Sequence, residues 1–170
     1  MTRRGWRPSA RTPGVETEAR SLAAADRWGD LPLIADTSAW IWVPRAPAEI
    51  KSDFAEAVRS GQIRTSALVK LELLYGTADR TEFEQRDAQL AALEEVRLSR
   101  YVGEAAVGAL RELKDRGSPG YHKVKLPDAL IAAAAAERGF NVLHYDRDYD
   151  RLEQVLNFTA MRLAPQGSLR

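Results

Sequence analysis

The sequence predicts an α/β fold organised on a central, mainly parallel sheet. Three observations lead there. Strand-like and helix-like stretches alternate from Leu31 onward, which favours parallel pairing through helical crossovers. The two most apolar strand-like runs, at Leu33 and at Val142, each meet an aspartate at their carboxyl end. There is no internal repeat and no clear second domain, and 170 residues suit one domain with a substantial core.

Residues 1–30 carry Arg3, Arg4, Arg7 and Arg11 among Gly5, Pro8, Pro13 and Gly14. They read as an Arg-rich extension, partly disordered, loose to Val15 with a short helix near Thr17 to Arg27. Leu33-Ile34-Ala35 is a buried strand ending at Asp36-Thr37-Ser38. A short helical stretch from Ala39 to Val43 stops at Pro44. Between Pro47 and Ser60, Ile50, Phe54 and Val58 recur at helical spacing, and Gly61 ends the run. Gln62 to Ser66 reads as a second strand, followed by a helix over Ala67 to Gly76. A charged helix runs from Thr81 to Glu95, then a brief strand from Val96 to Leu98. A further helix spans Glu104 to Arg116, and a loop covers Gly117 to Lys125. Pro127 opens the next helix and Gly139 closes it. Phe140 to Tyr145 is a strand, Asp150 to Leu156 a helix, Phe158 to Leu163 an edge strand, and 166–170 a tail.

Composition excludes several chemistries. The chain has no cysteine, so disulfides, thiolate metal sites and cysteine nucleophiles are ruled out. Only His122 and His144 are available to a zinc site. Any metal would be held mainly by oxygen. A net charge of +1 gives no electrostatic announcement of a nucleic-acid partner. No apolar run is long enough to span a bilayer, and no apolar stretch follows the early arginines as in a secretory signal. The expectation is a cytoplasmic protein without membrane partners.

In a parallel α/β sheet, ligands bind beyond the carboxyl ends of the strands. Asp36 and Asp146 both fall there, although each alone suits a helix cap. Glu72 lies in a helix between Leu68, Val69 and Tyr75, where an unpaired charge is costly and calls for a cation, a partner or water. Asp128 begins an Ala-rich helix, favourable to the dipole, with an almost wholly apolar sequel. Four carboxylates brought into one crevice repel unless cations neutralise them. Hard oxygen ligands of this kind suit Mg²⁺ or Mn²⁺, which activate water in phosphodiester hydrolysis. Spacing along the chain does not by itself establish the convergence.

Four segments in this order resemble the PIN-domain family, and within it the VapC toxins of bacterial type II toxin–antitoxin pairs. They are Ile34-Ala-Asp-Thr-Ser-Ala-Trp, Thr65-Ser-Ala-Leu-Val-Lys-Leu-Glu-Leu-Leu-Tyr-Gly, Leu126-Pro-Asp-Ala-Leu-Ile-Ala-Ala-Ala-Ala and Val142-Leu-His-Tyr-Asp-Arg-Asp-Tyr. The resemblance implies a three-layer α/β/α nuclease domain over residues 31–165. It implies a metal-dependent endoribonuclease with Asp36, Glu72, Asp128 and Asp146 as acidic ligands, Asp148 being the alternative to Asp146. Ser38 takes the supporting hydroxyl position, with Thr37 as its substitute. It further implies a homodimer, an RNA substrate and inhibition by a cognate antitoxin.

Lys123, Lys125 and Arg147 lie next to these acidic positions in sequence and are the candidate phosphate contacts. Trp40 and Trp42 are expected in the core or a dimer contact, and His144 in a structural role. Two rival readings remain: a catalytically silent module that binds RNA or antitoxin, and an aspartyl phosphatase with Asp36 as nucleophile. The phosphatase pattern would place a second Asp where Ser38 stands.

Overall fold

In the computed structural model, residues 27–169 are described. Five strands form the sheet: β1 (Leu33–Ala35), β2 (Ile63–Ser66), β3 (Glu95–Val96), β4 (Asn141–His144) and β5 (Ala160–Arg162). Their order is β3-β2-β1-β4-β5, and every pairing is parallel. From β1 the chain first builds outward to β2 and β3, then crosses to the other side for β4 and β5. The strand order therefore reverses between β1 and β4, whose register pairs Ala35 with Leu143. That switch point is where α/β sheets open a crevice at their carboxyl ends.

Among the described residues seven α-helices of known bounds cover the sheet: α1 (Thr37–Trp42), α2 (Ala48–Arg59), α3 (Ala67–Tyr75), α4 (Arg80–Ala91), α5 (Arg100–Asp115), α6 (Leu126–Arg138) and α7 (Asp148–Leu152). Side chains alternating along the strands feed two separate cores. Ile34 and Val142 point into one with Val69 and Leu73 of α3, Leu113 of α5 and Ile131 of α6. Leu33, Ala35 and Leu143 point into the other with Ala39 of α1 and Ile50 and Phe54 of α2. This is the expected three-layer α/β/α arrangement.

Helix α6 runs through the middle of its layer. Ala129 and Ile131 through Ala135 are each at most 1% exposed, because alanine side chains let α5 and the sheet approach closely on both sides. Gly139 ends the helix at φ +67, a left-handed backbone that glycine adopts without a Cβ penalty. This rigid rod sets the position of Asp128 at its amino end.

Several boundaries differ from expectation. Helix α5 starts four residues before Glu104 because the Ser99 hydroxyl caps it at the Tyr101 N–H. Helix α4 starts at Arg80 under an Asp79 cap and stops at Ala91. Strand β3 comprises Glu95 and Val96, not Val96 to Leu98, since Thr65 and Ser66 pair with those residues. Helix α7 begins at Asp148 and is over by Leu152. Pro44 does not stop the chain turning; it sits inside a 3-10 turn, Val43–Arg45, that continues α1.

The expected helix near Thr17 lies outside the described residues except for Arg27. Trp28 is packed in the core at 1% exposure, edge-on to Phe54, while Arg27 pairs with Asp53 at 2.5 Å. The segment assigned to the extension thus contributes to the domain from residue 27. Leu169, assigned to the tail, is likewise buried, and its N–H donates to the Tyr145 hydroxyl at 3.1 Å. Among the described residues no helix is long and apolar enough to cross a membrane.

Candidate metal centre

Asp36 follows β1 and Asp146 lies two residues beyond β4, so the pairing of those neighbouring strands brings the two close. The Asp36 N–H donates to the Leu143 carbonyl at 2.9 Å, stitching the first turn to β4. Glu72 comes in from α3, and Asp128 from the first turn of α6. All four carboxylates line one cleft of about 510 Å³, together with Thr37, Ser38 and Lys125. Ile41, Trp42, Tyr75 and Tyr145 supply its less polar walls. Residues scattered over three helices and two strand ends are thereby placed together.

Each carboxylate is held differently. Asp36 is 3% exposed. Its Oδ2 accepts the Ser38 N–H at 2.9 Å and the Ser38 hydroxyl at 2.5 Å, while Oδ1 accepts the Tyr149 hydroxyl at 2.8 Å. Asp36 is therefore both the cap of α1 and part of the cleft, so the capping role and the site role coexist in one residue. Ser38 in turn accepts the Tyr145 N–H at 2.9 Å, so it is fixed from both sides. Glu72 is half-buried, and its Oε2 accepts the Thr37 hydroxyl at 2.5 Å. The two adjacent hydroxyls, Ser38 and Thr37, thus orient two different acids.

Asp128 stands apart. It is 4% exposed, and its Oδ2 is buried with no hydrogen-bond partner. Burial, reinforced by the charge of Asp36, pushes its carboxyl up to about 8, against a smaller opposing pull from Lys125. An oxygen desolvated and left unpaired in this way costs free energy unless a proton or cation meets it.

Asp146 is half-buried and ion-paired with the Lys125 ammonium. Burial raises its carboxyl, but the Lys125 bond and the N–H groups of Asp148 and Arg147 outweigh that and hold it below the usual range. The same bond to Asp146 raises the Lys125 ammonium in spite of its partial burial. Lys125 also lies 3.9 Å from Asp128. Lys125, a candidate phosphate contact, faces two carboxylates of the cleft in this structure. Lys123 and Arg147 are exposed and do not line it.

Asp148 is buried at 6% exposure behind the cleft wall. It bonds Arg151 at 2.7 Å and accepts the Lys125 N–H at 3.3 Å, bracing the loop that carries Lys125. Oxygens of Asp128, Asp146 and Asp148 can nonetheless lie within 4.8 Å of one another. This acidic cluster can bind a metal. Its donor set is oxygen throughout, it contains an orphaned buried oxygen, and no thiolate competes, all of which fit a hard divalent cation.

Sequence reasoning misses or misplaces some residues. Trp40 and Trp42 both pack against the second core as expected, Trp40 edge-on to Phe54 at 4.9 Å between ring centroids, and Trp42 in addition lines the cleft beside Tyr145 at 5.2 Å. Tyr149 ends the fourth family-like segment, and nothing in the sequence pattern gives it a role. The available signal is chemical: a buried phenol needs a partner for its hydroxyl. His144 is fully buried and structural in position, with Nδ1 2.6 Å from the Asp146 carbonyl; burial lowers its pKa and keeps the ring neutral.

Comparison with known proteins bears on this geometry. The model of the PIN domain family matches residues 33–155. Ribonuclease VapC18 of Mycobacterium tuberculosis is 31% identical over 134 residues, covering 79% of this chain and 96% of the relative. Ribonuclease VapC51 of the same organism is 31% identical over 110 residues, covering 65% and 78% respectively. Among solved structures, DNA-bound VapBC from Salmonella typhimurium aligns with TM-score 0.60 at 19% identity, over 79% of this chain and all of that one. VapBC-5 from Mycobacterium tuberculosis aligns with TM-score 0.55 at 22% identity, over 78% and 99%. At those identities the two structures speak to the fold alone.

Proposed function

Because the chain belongs to the PIN-domain family and stands among its VapC ribonucleases, we propose that the cleft is the catalytic centre of an Mg²⁺- or Mn²⁺-dependent endoribonuclease. The observation that carries this reading is the buried Oδ2 of Asp128, which accepts no hydrogen bond and has only the Lys125 ammonium at 3.9 Å, in a residue that lines one cleft with Asp36, Glu72 and Asp146. Those four residues would hold the cation. When bound, it supplies Lewis acidity toward a phosphodiester oxygen and a hydroxide-like water at neutral pH.

The chain's own residues prepare the site. Ser38 and Thr37 fix two of the acids before any cation arrives, so less ordering is left to the binding step. Lys125 lies across Asp146 and Asp128 and offsets part of their repulsion. Trp42, Tyr75 and Tyr145 line the cleft beside the acids. Lys123 and Arg147, exposed and adjacent in sequence to cleft residues, are the proposed partners of the RNA backbone. In Lys123→Ala with Arg147→Ala, the slope of log affinity against log salt should flatten by about 0.7 for each phosphate interaction removed. An unchanged slope would move the RNA path elsewhere.

The aspartyl phosphatase reading is poorly supported by this geometry. That pattern needs a second Asp two residues on, where this chain has Ser38, whose N–H and hydroxyl are consumed in holding Asp36 Oδ2. A silent RNA-binding module would have no use for four acids lining one cleft, since phosphate would be repelled. In the proposed role the protein is the cytoplasmic toxin of a type II pair, a homodimer that binds a cognate antitoxin. The fold neighbours solved as VapBC complexes support that partner, and the mass of the co-expressed pair by light scattering measures it.

The decisive assay is cleavage of labelled RNA by purified protein. Turnover should appear with Mn²⁺ or Mg²⁺ and fall to background with chelator. Cleavage that persists in chelator would overturn the metal mechanism.

A further inference from the structure

Tyr149 enters the site from behind. It lies in α7, one residue past Asp148, and is completely buried, its ring packed against His144 at 5.0 Å between centroids. Its hydroxyl reaches back beneath β1 to Asp36 Oδ1 at 2.8 Å, joining residues 113 positions apart. With the Tyr145 N–H to Ser38 hydroxyl bond and the Asp36 N–H to Leu143 carbonyl bond, it joins the chain after β4 to the end of β1.

Asp36 supplies the reason the hydroxyl matters. A carboxylate oxygen accepts about two hydrogen bonds. Oδ2 already takes two, both from Ser38. Among the described residues Oδ1 has a single donor, the Tyr149 phenol, which leaves that oxygen one acceptor position. The phenol thus determines which side of Asp36 remains available. A phenylalanine would fill the same volume and pack the same core but leave Oδ1 without its donor.

Resting on the proposal that Asp36 is a metal ligand, we infer that Tyr149 is a positioning residue: its hydroxyl holds Asp36 in the orientation that binds the divalent cation. Hydrogen-bond partners of metal ligands fix ligand orientation, and removing one typically costs roughly ten- to a hundredfold in metal affinity.

The test is Mn²⁺ binding to metal-free protein by calorimetry, with thermal melting in chelator alongside. Tyr149→Phe should weaken Mn²⁺ binding by roughly tenfold or more, and cleavage should recover at high Mn²⁺. A double-mutant cycle with Asp36→Asn checks the route. If Tyr149 acts through Asp36, adding Tyr149→Phe to Asp36→Asn should weaken binding far less than it does in the wild type. A phenol serving only the core would lower the melting temperature and leave Mn²⁺ affinity as in the wild type; that result overturns the inference, as does full additivity in the cycle. Should Tyr149→Phe not fold, the same cycle is run with Tyr149→Met, which fits the buried space without overpacking it and has no hydroxyl, again expecting coupling to Asp36. If wild-type protein binds no Mn²⁺, the metal reading itself fails and takes this inference with it.

Discussion

Cleavage by Asp36→Asn, Glu72→Gln and Asp128→Asn is expected to fall at least about a hundredfold at saturating metal, with the fold retained. Each change keeps shape and removes a charge that faces the same cleft. The hydroxyl partners Ser38 and Thr37 can still donate to the remaining amide oxygen, so local packing survives. Asp146→Asn should show a large loss as well, because Asp146 lines the cleft. Asp148→Asn provides the contrast. Its carboxylate is turned to Arg151 and to the Lys125 N–H, so the variant should lose more stability than Asp146→Asn and less activity. Single-turnover rates and melting curves on the five variants separate these outcomes. Wild-type rates in folded Asp36, Glu72 or Asp128 variants would remove the site assignment, and a reversed order for Asp146 and Asp148 would exchange their roles.

The metal-free protein should lose stability as pH rises from about 4 toward 8, and Asp128→Asn should abolish that loss. The folded carboxyl sits near 8, above its ordinary 3.8. Between those values the folded state binds a proton that the unfolded chain does not, so stability declines with rising pH. The favourable contribution is complete below the unfolded value and gone once pH passes the folded one. Near pH 4 the variant and the wild type should therefore melt together. At pH 8.5 in chelator the variant should melt higher, by at least about 4 °C if the effect exceeds 1–2 kcal/mol. Added Mn²⁺ should reverse the order, raising the wild type and not the variant, because the cation takes the place of the proton. Parallel melting curves at every pH would show that Asp128 is an ordinary surface acid.

Much of the fold is legible in the sequence, because burial leaves a periodic trace. Leu33-Ile34-Ala35 and Val142-Leu143 are apolar on both faces, as strands between two helical layers must be. The polar residue after each is equally plain. What strand polarity does not show is which ends are neighbours. That β1 pairs with β4, and not only with β2, is a property of the whole sheet. Glu72 is conspicuous for its apolar surroundings, yet its partner Thr37 is 35 residues away. Lys125 reads as a free basic side chain because sequence shows charge and not what faces it. Tyr149 is hidden for a similar reason: in a one-dimensional string a buried tyrosine and a buried phenylalanine differ by one oxygen, and only the fold reveals where that oxygen points. The displaced starts of α4 and α5 trace to the Asp79 and Ser99 caps, which act over a few residues and override periodicity.

The position of β4 beside β1 has a consequence for how the protein is made. Domains generally fold as the chain emerges, amino end first. Here the central strand and Asp36 emerge early, but the second strand flanking it, with Asp146 and the tyrosine that braces Asp36, is synthesised last. The Tyr149 to Asp36 bond closes over 113 residues and the Ser38 to Tyr145 bond over 107. An unfinished chain lacks one wall of the cleft and one of its acids. The full set of cleft acids therefore comes together only once β4 and the turn after it have been made and have paired with β1.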